Sequence, residues 1–120
     1  MKKVFPFLIV VLLAFAGCHR EPVMYEKAGN PRQLAEHVEK FVNQTEKYSR
    51  HYSAEDWQVA VEQFVVMSKD YVDNRYVLTE GEQMRFDNAR LKFMKAIDAH
   101  GSDEITKQVK EAYNQVLGQK

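Results

Sequence analysis

Cysteine is almost missing from this 120-residue chain: Cys18 is the only one, so no intramolecular disulfide can form and the folded part must hold by packing alone. Net charge is missing as well. Seventeen Lys and Arg residues balance 17 Asp and Glu residues, which leaves no electrostatic case for nucleic acid or for an acidic ligand. No stretch alternates apolar and polar residues for long enough to suggest strands. Metal motifs are lacking. Asp70, Asp73, Asn74 and Glu80 or Glu82 do not have the alternating oxygen ligands and central glycine of an EF-hand loop, and Asp98, His100, Asp103 and Glu104 lack the spacing of a zinc site. The second group reads as capping and solvated residues. No nucleophile or paired carboxylate stands beside a histidine in a recognisable motif, so the sequence nominates no catalytic residue, no metal and no non-covalent cofactor.

What is present begins at the N-terminus. Lys2 and Lys3 form a basic head, Val4 to Phe15 an apolar run broken only by Pro6, and Ala16-Gly17 a small pair before Cys18. This is the pattern of an export signal, and the run is shorter than the ~20 residues needed for a permanent membrane-spanning helix. Cleavage after Gly17 leaves 103 residues, and loss of Lys2 and Lys3 leaves 15 basic residues against 17 acidic ones. The expected organisation is a leader over 1–17, an acylated cysteine and tether over 18–29, a single domain over 30–117 and a short tail over 118–120.

The segment Phe15-Ala16-Gly17-Cys18 resembles the lipobox of bacterial lipoproteins, with Phe15 where leucine is usual. The resemblance implies recognition of Phe15, Ala16 and Gly17 by the lipoprotein signal peptidase, a diacylglycerol thioether on Cys18 and further acylation such as palmitate. It also implies the export and processing machinery as partners, and a bacterial envelope location on the outer membrane, with the periplasmic or surface-facing side left open. His19-Arg20-Glu21 is loosely similar to the charged surface-export signal of Bacteroides-group lipoproteins, with Pro22 in place of the second acid. Several acyl chains on one residue hold a domain durably where a single chain does not.

The rest of the chain predicts helices. Asn30 is an N-cap with Pro31 in the first turn, followed by the stripe Leu34, Val38, Phe41, Val42, Thr45 and Tyr48, with Glu36–Lys40 and Glu46–Arg50 pairs on the solvent side. Ser53 and Asp56 open a second helix whose broad face carries Trp57, Val61, Phe64, Val65, Ser68, Tyr71 and Val72. Thr79 and Glu82 make a capping box for a third, with Leu78 before it and Phe86, Ala89, Arg90, Phe93, Ala96, Ile97 and His100 on its packing side. Gly101 stops that helix, and Ser102 caps a fourth with Ile105, Val109, Ala112, Tyr113 and Val116 on one face. The expected fold is all-α, a small three- or four-helix antiparallel bundle anchored on Phe41, Trp57, Phe64, Phe86 and Phe93.

Tyr52-Ser53-Ala54-Glu55-Asp56-Trp57 followed by Leu78-Thr79-Glu80-Gly81-Glu82 resembles an uncharacterised family of small helical lipoproteins from Bacteroidota. The resemblance covers roughly residues 30 to 100, carries Trp57 and Thr79 as structural positions, and implies location and helicity but no activity. Val59 and Val66 point away from the Trp57/Phe64 line, to be covered by the last helix or to serve as a docking strip. Tyr48, Tyr52, Trp57, Tyr71 and Tyr76 read as core or wet-boundary packing residues or, alternatively, as a peptide or glycan groove. The functional expectation is a non-enzymatic envelope lipoprotein that acts as an interaction or structural module for another envelope protein. A peptide-binding chaperone-like factor and an envelope hydrolase are the alternatives.

Overall fold

The computed structural model describes residues 22–118, and within them the chain forms four α-helices and no strand. Helix α1 spans Leu34–Tyr48, α2 Ala54–Asn74, α3 Glu80–His100 and α4 Asp103–Gly118. Single 3-10 turns precede α1 (Pro31–Gln33) and follow α1 and α2 (Ser49–His51 and Arg75–Val77).

Local chemistry accounts for each boundary. The Asn30 side chain accepts the Arg32 N–H at 2.9 Å, but the Asn30 carbonyl takes the Gln33 N–H at 3.0 Å. This three-residue closure makes Pro31 the start of a 3-10 turn, and the α-helix begins only at Leu34. Ser53 and Asp56 cap each other's backbone N–H groups at 3.2 and 2.9 Å, and Thr79 and Glu82 do the same at 3.1 and 2.8 Å. The Ser102 hydroxyl oxygen accepts from the Ile105 N–H at 3.2 Å. Each such cap contributes about 1 kcal/mol.

Gly101 ends α3 by close approach instead of a left-handed twist. Its backbone is extended (φ −91°, ψ −176°), its N–H donates to the Ile97 carbonyl at 2.7 Å, and an added Cβ would lie 2.9 Å from that oxygen and 3.1 Å from Ile97 Cγ2. Gly101→Ala is therefore expected to lower stability by about 1–3 kcal/mol through overpacking. A urea titration with an unshifted midpoint would show instead that the turn yields without cost.

Helix directions follow from the side chains that touch. Moving forward along α1 moves forward along α3: Glu39 meets Arg85, and Asn43 and Glu46 meet Lys92. Between α2 and α3 the order reverses, with Phe64 on Phe93 and Tyr71 on Phe86. The bundle is thus up-down-up-down. Its closest neighbours are the parallel pairs α1/α3 and α2/α4. The helices joined by short turns, α1 with α2 and α3 with α4, are more widely spaced, and each of those two seams has its own content, described below.

The two pairs meet through aromatic rings. Phe93 is fully buried, stacked at 4.6 Å on Phe64 and at 5.9 Å on Phe41, while Tyr71 stacks on Phe86 at 3.8 Å. Phe41, Trp57, Phe64 and Phe86 are buried with it, alongside Leu34, Val38, Met67, Ile97 and Val109. His100, expected on the packing side of α3, is exposed. The helix ends one turn beyond Ile97, where Gly101 turns the chain away. Glu46 lies 3.8 Å from Lys92, while Arg50, its expected partner, falls in the 3-10 turn after α1; Glu39 makes a two-point contact with Arg85 at 2.6 and 2.9 Å. These ties fix the register of α1 on α3; the Arg85 guanidinium lowers the Glu39 pKa below its ordinary value. Helix α4 extends through Gly118, so the tail expected from that residue begins no earlier than 119.

Candidate functional site

The lipidation sequence itself, Phe15, Ala16, Gly17 and Cys18, lies outside the described residues, as do His19, Arg20 and Glu21. The stretch that follows differs from expectation. Residues 22–29, read as a tether, are packed onto the bundle as a strap running in the seam between α1 and α2. Val23 and Ala28 are partly buried and Tyr25 is 7% exposed, with Met24 and Glu26 facing outward. Near the α1–α2 connection the Val23 N–H donates to the Tyr52 hydroxyl at 3.3 Å. Midway, the Tyr25 N–H donates to Gln63 Oε1 at 2.8 Å and the ring sets its edge against Phe41 at 5.9 Å. Further on, His37 Nδ1 lies 2.8 Å from the Glu26 carbonyl, a contact that requires the proton on Nδ1. His37, reaching back from α1, thus holds the strap.

Asp70 is the latch. It is only 2% exposed, yet its carboxylate accepts from the Tyr25 hydroxyl at 2.7 Å, the Ala28 N–H at 3.1 Å and Asn74 Nδ2 at 3.2 Å. Three donors offset the cost of taking a carboxylate out of water. Burial, reinforced by that hydrogen bond and by the Asp70 charge, pushes the Tyr25 hydroxyl pKa far above its ordinary value, so the hydroxyl stays a donor. The spacing of Asp70, Asp73 and Asn74 excludes an EF-hand and says nothing of where the Asp70 carboxylate lies. It is neither solvated nor free. The sequence signal was slight: Asp70 falls three residues after Met67 and one before Tyr71, inside the apolar arc of α2, and Val23 and Tyr25 are spaced as inward positions of an extended segment.

The surface positions separate into two sets. Val66 is 39% exposed and Val59 partly buried, so α4 does not cover the strip completely. A more exposed apolar group sits where α2 passes into α3: Tyr76 is 84% exposed, Val77 59% and Met84 65%. Arg75 lies over the Tyr76 ring at 5.3 Å, and Arg32, paired with Glu82 at 3.1 Å, donates to the Val77 carbonyl. This tip is one full length of α2, about 30 Å, from the end at which the strap enters.

The seam between α3 and α4 carries no strap. It forms a groove of about 470 Å³ with Phe64 of α2 at its floor, Leu91, Met94 and Tyr113 on its walls, and Asp98 and Lys110 toward the α3–α4 turn. The Arg90 guanidinium stacks over the Tyr113 ring at 4.7 Å, and Arg90 Nε is buried without a hydrogen-bond partner among the described residues. Arg90 was expected on the packing side of α3, and its cation lies there over an aromatic face. Among the described residues no cluster of three His, Cys, Asp or Glu side chains could hold a metal ion, and no helix is long and apolar enough to cross a membrane.

No protein-family model matches this chain, and no curated protein or solved structure matches it significantly.

Proposed function

We propose that the chain is a lipid-anchored protein of the bacterial envelope, attached through acylated Cys18, that presents its helical bundle to another envelope protein and does no chemistry of its own. The observation that supports this reading is the polarity of the strap. Only four residues lie between Cys18 and Val23, the first strap residue to dock, so over five residue steps the anchor reaches at most about 18 Å from the bundle. An anchor this short brings the α1–α2 and α3–α4 turns toward the bilayer and turns the Tyr76, Val77 and Met84 tip away from it. Restriction to the membrane plane then raises the effective concentration of the tip for a partner in the same envelope. Two of the buried polar side chains, Ser68 and Asp70, are engaged in hydrogen bonds that hold the fold, which favours recognition over catalysis.

Cys18→Ser is expected to abolish incorporation of a labelled fatty acid and to release or mis-process the product. Normal labelled retention in the membrane fraction would refute the anchor. Recognition is tested by crosslinking in the native envelope. One defined partner recovered with the wild type and with Val59→Ser/Val66→Ser, but lost with a folded Tyr76→Ser/Val77→Ser variant, would support the tip. Loss with the former variant alone would move the contact to the α2 strip.

A further inference from the structure

The two wide seams of this bundle are alike in construction and opposite in content. Between α1 and α2 the seam is filled by a length of extended chain whose apolar side chains point inward and whose polar groups end on the buried anion Asp70. Between α3 and α4 the corresponding seam is open, apolar along its walls, and ends on a cation, Arg90. We propose that this open seam is a binding site for a small aliphatic carboxylic acid, with the carboxylate on Arg90 and the chain along Leu91, Met94 and Phe64.

Each part of that ligand answers a feature of the seam. Arg90 makes no hydrogen bond or ion pair with any described residue; its guanidinium carbon lies 4.7 Å from the Tyr113 ring centroid, and Nε is buried and unsatisfied. A guanidinium without another anionic partner pairs best with a carboxylate, in a two-point geometry. With Arg90, Lys110 and Asp98 in the lining its formal net charge is positive by one, and Lys110 lies about one helical turn from Tyr113, nearer the Arg90 end than Asp98. From Arg90 to Asp98 the groove follows about 12 Å of helix axis, and its volume of about 470 Å³ falls in the range of small-molecule sites. Asn114 also lines the groove, but its open surface is mostly apolar, which suits an aliphatic acid with one polar end better than a peptide with an amide donor and acceptor at every residue. The balanced charge of the whole chain does not bear on this site, because the cation is local and partly desolvated.

The test uses octanoic acid carrying a diazirine on its chain, photolysed with the full chain in phospholipid nanodiscs and mapped by mass spectrometry. Labelling is expected within residues 90–98 and 110–114 and is expected to be suppressed by excess octanoate but not by octanol or octylammonium. Arg90→Gln is expected to reduce it about tenfold, the loss of one charge-assisted pair, and Arg90→Lys to restore part of it. Leu91→Glu, at a rim position that is 50% exposed and outside the core, is expected to reduce labelling by like-charge repulsion while leaving the melting curve unchanged. Labelling elsewhere, equal competition by octanol or octylammonium, or wild-type labelling in Leu91→Glu would overturn the site. None of these outcomes depends on acylation of Cys18, so this proposal and the anchor reading fail separately.

Discussion

Phe93→Ala is expected to lower the unfolding free energy by about 3–5 kcal/mol. The ring is fully buried and lies between Phe41 of α1 and Phe64 of α2, so it joins the α1/α3 pair to the α2/α4 pair. Removing it leaves a cavity bounded by two other rings and by the backbones of tightly paired helices, which cannot close in from either side. Urea denaturation followed by far-ultraviolet circular dichroism measures the loss. A change below about 1 kcal/mol would mean that the pairs are held by their own contacts and not through this stack.

Asp70→Ala is expected to cost about 2–4 kcal/mol and to release the strap. Two of the donors to its carboxylate, the Tyr25 hydroxyl and the Ala28 N–H, belong to the strap, and both would be left facing an apolar seam without an acceptor. Hydrogen exchange distinguishes this from general weakening: amides of Tyr25 and Ala28 should lose protection well before those of α3. Tyr25→Phe removes a single hydrogen bond and keeps the ring against Phe41, so it should cost only about 1 kcal/mol. If the strap amides in Asp70→Ala exchange as slowly as those in the wild type, the latch is not Asp70 and apolar contact alone holds the strap.

The strap also changes what the short N-terminal segment means physically. A free linker of a dozen residues would let a bundle tumble above a bilayer, and its attachment point would say nothing about which surface faces a partner. A docked one gives the bundle two distinct ends. The exposed tip at Tyr76 and Val77 has a definite position relative to the entry point only because Val23, Tyr25 and Ala28 are held to α1 and α2.

The local rules of the chain were sufficient for the helices. Ser53, Thr79 and Ser102 each accept an N–H at an α-helix start, Asn30 does so at the 3-10 turn before α1, and Gly101 stops α3, because capping depends on residues within one turn of each other. Apolar spacing likewise marked Phe41, Phe64, Phe86 and Phe93 as inward-facing, since the helical period alone decides which side chains share a stripe. Tertiary structure decided what lay between stripes. Asp70 becomes a buried latch only when Tyr25, 45 residues away, reaches it, and His37 becomes a strap contact only when Glu26 turns back along α1. Arg90 becomes a held cation only because α4 brings Tyr113 beneath it. Such contacts depend on which helices pair closely and which stand apart. That choice is made by the packing of large rings across the whole bundle, which no local window of the sequence contains.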